Sequence, residues 1–203
     1  MQPRKEGSAI AAVLRHRICM TQSVTEDITL HEGTLAAEFG VSRTPIRQVL
    51  QKLAYERLVE TRSGVGTIVA RLDPEERQLD QKVLEALFRA AADCAGPDDM
   101  PDTVFERLQT RYRLIDATGG NAAAYLEHRT DLLEISADIT TDAILADAIR
   151  AAHWRQIRWR MTEAAWDEPD CFARLHDALK ASVACAETGD AAGVLRVLAQ
   201  AGL

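Results

Sequence analysis

Apolar positions recur at helical spacing along most of this 203-residue chain. Leu35, Ala36, Phe39 and Val41 give one short helix an apolar face, and Gly40 beside them permits a tight turn. Ile46, Val49, Leu50 and Leu53 then form the buried stripe of a second helix. Ser42 suits its N-cap and Thr44-Pro45 its first turn. Between Leu58 and Leu72 the pattern changes, and two β-leaning runs flank Ser63-Gly64-Val65-Gly66, which predicts a hairpin. From Asp73 onward helical spacing returns, predicting helices near 74–95, 102–117, 121–138, 141–163, 168–187 and 190–201. Turn chemistry at Gly96-Pro97, Gly119-Gly120 and Gly189-Asp190 separates several of them. Asp73 can cap the first, with Pro74 in its opening turn and Glu75 and Glu76 complementing its dipole. The fold class is therefore mainly α: three helices and a β-hairpin over residues 1–72, then an all-α bundle of about six helices over 73–203.

Composition narrows the class. Apolar residues make up 47% and charged residues 27%, as in ordinary folded chains. No apolar run approaches the ~20 residues of a membrane span, and the stretch MQPRKEGSAIAAVLRHR lacks the unbroken apolar core of a secretory signal. A cytoplasmic location with no membrane partner is expected. Cys19, Cys94, Cys171 and Cys185 lie far apart with no C-x-x-C pair, which argues against a disulfide framework and a thiolate zinc site. No G-x-S-x-G, P-loop, G-x-G-x-x-G or H-E-x-x-H motif is present, so an enzyme is not expected.

Charge is uneven along the chain. Residues 1–71 carry ten basic and seven acidic residues, net +3, and the remainder fourteen basic against 24 acidic, net −10. The basic third holds the segment with chemistry, TLAAEFGVSRTPIRQVLQKL from Thr34 to Leu53. Opposite the buried stripe, the second helix presents Arg43, Thr44, Arg47, Gln48 and Gln51. A helix, a glycine turn and a helix with arginines at its front form the helix-turn-helix pattern, whose second helix enters the major groove N-terminal residues first. Arginine suits guanine edges and phosphate, and the free amides of the helix start also favour phosphate. The DNA-binding candidates are thus Ser42, Arg43, Thr44, Arg47 and Gln48, joined by Arg62, Gly64 and Gly66 of a hairpin wing. Two amphipathic helices around a glycine also occur in chains that read no operator. An architectural DNA-binding or helical protein-interaction module remains the alternative.

These residues resemble a known family. Leu35-Ala36, Gly40-Val41-Ser42-Arg43-Thr44-Pro45-Ile46-Arg47, Leu50, Leu53 and Gly64-x-Gly66-Thr67-x-Val69 are similar to the winged helix-turn-helix of GntR-family transcriptional regulators. The resemblance covers roughly residues 8–71. It implies a repressor that binds a pseudo-palindromic, double-stranded DNA operator as a homodimer. Three positions depart from the family pattern: Gly33 where a polar or basic residue is frequent, Gln48 where an acidic one is, and Glu56-Arg57 where an acidic residue and glycine are.

The helical remainder more loosely resembles the effector domain of the fatty-acid-responsive (FCD) subgroup, which binds a small acid and in many members holds a metal with one Asp and three His. Aligning the turns puts those ligands at Arg129, Leu133, Leu179 and Ala201, none of which is a ligand type. No metal and no other cofactor is therefore expected, although an alignment shifted by one turn would bring in His128, His153 and His176. Without a metal, a small carboxylate effector needs hydrogen bonds and a cation. In the 141–163 helix the stripe Leu145, Ile149, Ala152, Gln156 and Trp159 suggests a core face, with Arg155 at its edge. Arg155 and Trp159 are the effector-binding candidates. The plainer reading is that this helix's arginines are solvated and its tryptophans fill the core.

Overall fold

The computed structural model describes residues 3–21, 27–96, 100–117 and 120–202. Among them are nine α-helices and one three-stranded sheet. Pro97 and Gly119, two of the expected helix breakers, lie outside the described residues.

Helix α1 (Pro3–Met20) lays Ile10, Ala11, Leu14 and Ile18 into the core. Helices α2 (Glu32–Phe39) and α3 (Arg43–Tyr55) are joined by Gly40, whose left-handed φ of 66° closes the first helix. There the amide of Val41 bonds the carbonyl of Ala36 at 3.0 Å. A side chain would resist that backbone conformation. Ile46, Val49, Leu50 and Leu53 of α3 are buried, as their spacing predicts. Strands β2 (Val59–Arg62) and β3 (Gly66–Val69) form the expected hairpin, turning through Gly64 at φ 77° and Gly66 at φ 110°. A third strand, β1 (Thr29–Leu30), pairs antiparallel with β3. Two residues carry too little periodicity to announce a strand.

The Pro74–Glu76 segment is a 3-10 turn rather than helix, with the Asp73 carboxylate accepting from the Glu75 amide at 3.0 Å. The helices that follow are α4 (Arg77–Cys94), α5 (Asp102–Leu114), α6 (Ala122–Asp138), α7 (Ala143–Thr162), α8 (Cys171–Glu187) and α9 (Ala191–Gln200). Side-chain caps from Asn121, Asp142 and Asp190 satisfy amides at the starts of α6, α7 and α9. Helices α6 and α7 are the buried centre. On α7 the expected stripe holds at Ile149, Ala152, Gln156 and Trp159, but His153, Trp154, Ile157, Arg158 and Met161 are buried as well. A helix buried on most sides has no single apolar face for periodicity to show.

The two parts of the chain touch. Arg158 on α7, itself buried, donates to the carbonyl of Ala70 at 2.6 Å. Arg15 on α1 lies over the Trp154 ring, 5.6 Å from its centre. No helix among the described residues is long and apolar enough to cross a membrane.

Candidate nucleic-acid interface

The buried stripe of α3 fixes what its other side exposes. Ser42, Arg43, Thr44, Arg47, Gln48, Gln51 and Lys52 all face outward. Ser42 occupies the N-cap position, but its hydroxyl makes no capping bond, so it stands available at a helix start where anions are favoured. Gly64 and Gly66 are exposed at the tip of the wing, and Arg62, paired with Gly66 beside the turn, is half-buried. Between α3 and the wing runs a cleft of about 410 Å³ whose lining includes Arg47, Gln51, Thr61, Gly66 and Thr67. The fold thus brings the eight sequence-predicted residues onto two adjoining elements.

Two arginines of this surface, Arg47 and Arg62, are held by carboxylates that the sequence did not single out. Arg47 grips Glu32 side-on, Nε to Oε1 at 3.0 Å and Nη2 to Oε2 at 2.8 Å. This bond is the main reason the Arg47 guanidinium is held above its usual range and the Glu32 carboxyl below its own. Arg62 reaches Asp27 at 2.9 Å and Glu60 at 3.0 Å, and Asp27 also holds Arg71 at 3.0 Å. Apart from Arg62–Glu60, these contacts join residues 15 or more positions apart and leave no periodic trace in the sequence.

Arg43 is placed differently. Its guanidinium lies over Gly33, where an added Cβ would stand 3.4 Å from Nη2. An alanine Cβ at position 33 would just touch the exposed, flexible end of Arg43.

The comparisons with known proteins agree with this geometry. Residues 7–69 match the model of the bacterial regulatory proteins of the gntR family. This segment is a GntR-family DNA-binding domain. Over 86 residues the chain is 36% identical to an HTH-type transcriptional regulator in an unstable DNA locus of Streptomyces ambofaciens, covering 42% of this chain and 34% of that one. Over 138 residues it is 30% identical to the gluconate operon transcriptional repressor of Bacillus licheniformis, covering 64% of this chain and 55% of that one. The chain thus spans between a third and about half of these relatives. The solved structure of E. coli McbR/YncC superposes with a TM-score of 0.62 at 16% identity, covering 97% of this chain and 93% of that one. The fold likeness to this solved structure therefore extends through the helical remainder.

The effector candidates have partners inside the chain. Asp80 of α4, nearly buried, accepts from Trp159 Nε1 at 2.9 Å and pairs with Arg155 Nη2 at 3.1 Å. The carboxylate that Arg155 meets here is the protein's own. Nor are all of the α7 arginines solvated: Arg158 is buried on Ala70, and Arg160 pairs with Glu168 at 3.0 Å.

The metal site implied by the resemblance does not fit the residues present. Arg129, Leu133 and Leu179 are buried where ligands would stand. A buried guanidinium repels the cation that a carboxylate there would hold. The shifted alternative does not assemble either. His153 packs edge-on to Phe88, 5.7 Å between centres, whereas His176 packs against Tyr112 and faces Asp116 and Asp177. His128 lies among the charges of Arg111, Glu127 and Asp131. No group of three or more His, Cys, Asp or Glu suited to a metal occurs among the described residues.

Proposed function

We propose that this protein is a sequence-specific transcriptional repressor, with residues 1–72 reading DNA and residues 73–203 supplying dimer contacts and a small-acid effector site. The observation that carries the reading is the exposed face of α3, with Arg43, Arg47, Gln48 and Gln51 presented beside the wing on a GntR-family domain. Ser42 and Thr44 stand at the helix start for phosphate, and the wing contributes Arg62, Gly64 and Gly66. Two such heads on a two-fold axis require a pseudo-palindromic operator. The repressor sense is supported by the gluconate operon repressor, a relative over 64% of the chain. Gluconate is itself a carboxylate. An effector regulates only by binding one arrangement of the two heads better than another.

The test is fluorescence-anisotropy binding to DNA upstream of the protein's own gene against scrambled DNA at physiological salt. Preference by ~10³ or more is expected, with Arg43→Ala and Arg47→Ala each costing about 1–3 kcal/mol. Equal, salt-sensitive binding to both DNAs would indicate an architectural module instead.

A further inference from the structure

Arg129 sits within α6 with 1% of its surface exposed. Its Nη1 donates to Tyr125 Oη at 3.0 Å, and its guanidinium carbon lies 5.7 Å from the centre of that ring. Nε and Nη2, both buried, have no hydrogen-bond partner among the described residues. These two donors lie on one edge of the guanidinium plane. It is the same edge by which Arg15, Arg47 and Arg77 hold Glu56, Glu32 and Glu163, one carboxylate oxygen on each nitrogen. Inside the bundle, Arg129 therefore presents the fork that three other arginines of this chain fill with a carboxylate.

The surroundings suit an anion. His153 of α7 is fully buried, and neither ring nitrogen has a hydrogen-bond partner among the described residues. Burial, and then the charge of Arg129, hold His153 well below the usual histidine range, so the ring is neutral and offers one donor and one acceptor. Among the described residues no carboxylate pairs with Arg129, and burial pushes its guanidinium below the usual arginine range. A buried guanidinium without a counter-charge is strongly unfavourable, and its unused N–H groups require acceptors.

We propose that this cluster binds the carboxylate of a small organic acid directly, one oxygen on Arg129 Nε and one on Nη2, with His153 hydrogen-bonding a further polar atom of the acid. Tyr125 is a positioning residue that fixes the guanidinium through Nη1. The inference rests on the effector reading above and moves its anchor from Arg155 to Arg129. It also accounts for the misfit metal site: a cation fixed to the protein stands where the resemblance places a metal ligand, and an acid needs no metal to bridge it.

The test is thermal unfolding of the full chain in sodium acetate, lactate, succinate and citrate against sodium chloride and sodium sulfate at matched ionic strength. The most stabilising acid is then titrated by tryptophan fluorescence, Trp154 and Trp159 lying on the same helix as His153. At least one acid is expected to raise Tm above both inorganic salts, with or without EDTA. Arg129→Lys, which keeps the charge and loses the fork, should weaken binding about tenfold to hundredfold. Tyr125→Phe should weaken it several-fold and serves if the Arg129 variant does not fold. The inference fails if no acid exceeds the inorganic salts, if EDTA abolishes the response, or if Arg129→Lys or Tyr125→Phe binds as the wild type does. None of these readouts involves DNA. Normal acid binding without any change in operator affinity leaves this site standing and removes only the regulatory role.

Discussion

Glu32, the first residue of α2, holds Arg47 of α3 through the same two nitrogens that a guanine edge or a phosphate would need. On the proposed reading, DNA and Glu32 compete for one side chain. The pair is largely exposed and contributes little to stability, so its consequence lies in binding. Glu32→Gln is expected to tighten operator binding about two- to fivefold at low salt and to steepen the salt dependence, with little change in Tm. Anisotropy titrations of wild type and variant over a salt series measure both quantities. Weaker binding by the variant would mean that Glu32 orients Arg47 for the DNA rather than competing with it.

Arg57 occupies a left-handed backbone conformation, φ 59°, in the turn that leads from α3 into the wing. The family pattern places glycine at this position. A side-chain-bearing residue there costs about 1–2 kcal/mol relative to its ordinary conformation, partly offset by the roughly 0.5–1 kcal/mol of extra freedom that glycine loses on folding. Arg57→Gly should therefore raise stability by about 0.5–1 kcal/mol, or roughly 1–4 °C in Tm. Thermal denaturation followed by circular dichroism would show it, and a lower Tm would mean that the Arg57 side chain makes a compensating contact.

Local pattern carried α3 well, because burial of Ile46, Val49, Leu50 and Leu53 leaves only one face for Arg43 and Arg47. It carried the wing equally well, since Gly64 and Gly66 supply the backbone conformations that its turn requires. What it missed depends on tertiary contact. Glu32 and Asp27 look like ordinary surface acids until the fold brings them to Arg47 and Arg62. Asp80 meets Arg155 and Trp159 only when α4 packs on α7, 79 positions away for the Trp159 bond. Arg129 was legible only as a wrong residue at an aligned position. Its burial was hidden because α6 is enclosed on most sides and shows no polar face to break the pattern.

Arg15 joins the winged helix-turn-helix to the helical part. It bonds Glu56, at the end of α3, at 2.8 and 2.5 Å and stacks over Trp154 of α7. Burial opposes the Arg15 charge, but the bond and the charge of Glu56 together outweigh it, holding the guanidinium above its usual range. Glu56 is itself 6% exposed. Arg15→Ala leaves that carboxylate buried without its counter-charge and should cost about 3 kcal/mol, or roughly 6–12 °C in Tm. Arg15→Met combined with Glu56→Leu should recover much of the loss, since an apolar pair of similar volume avoids the unpaired charge. A double-mutant cycle by thermal denaturation decides it, and strictly additive losses would show that the two residues act independently.

His153 should make stability depend on acid. Its native value lies well below the 6.5 of an unperturbed histidine, because burial and then the Arg129 charge disfavour the protonated ring. In the unfolded chain the same ring takes up a proton once pH falls below about 6.5. The unfolded state then binds more protons than the native state, so stability falls as pH drops through that value and continues to fall until the native ring titrates. Below about pH 6.5 this one group should lower stability by at most about 1.4 kcal/mol per pH unit, or roughly 3–6 °C in Tm. His153→Leu should flatten the Tm profile between pH 7.5 and pH 5 correspondingly, whatever its effect on Tm at neutral pH. Parallel profiles for wild type and variant would mean that the native ring accepts its proton in place, which would require an acceptor or anion beside it.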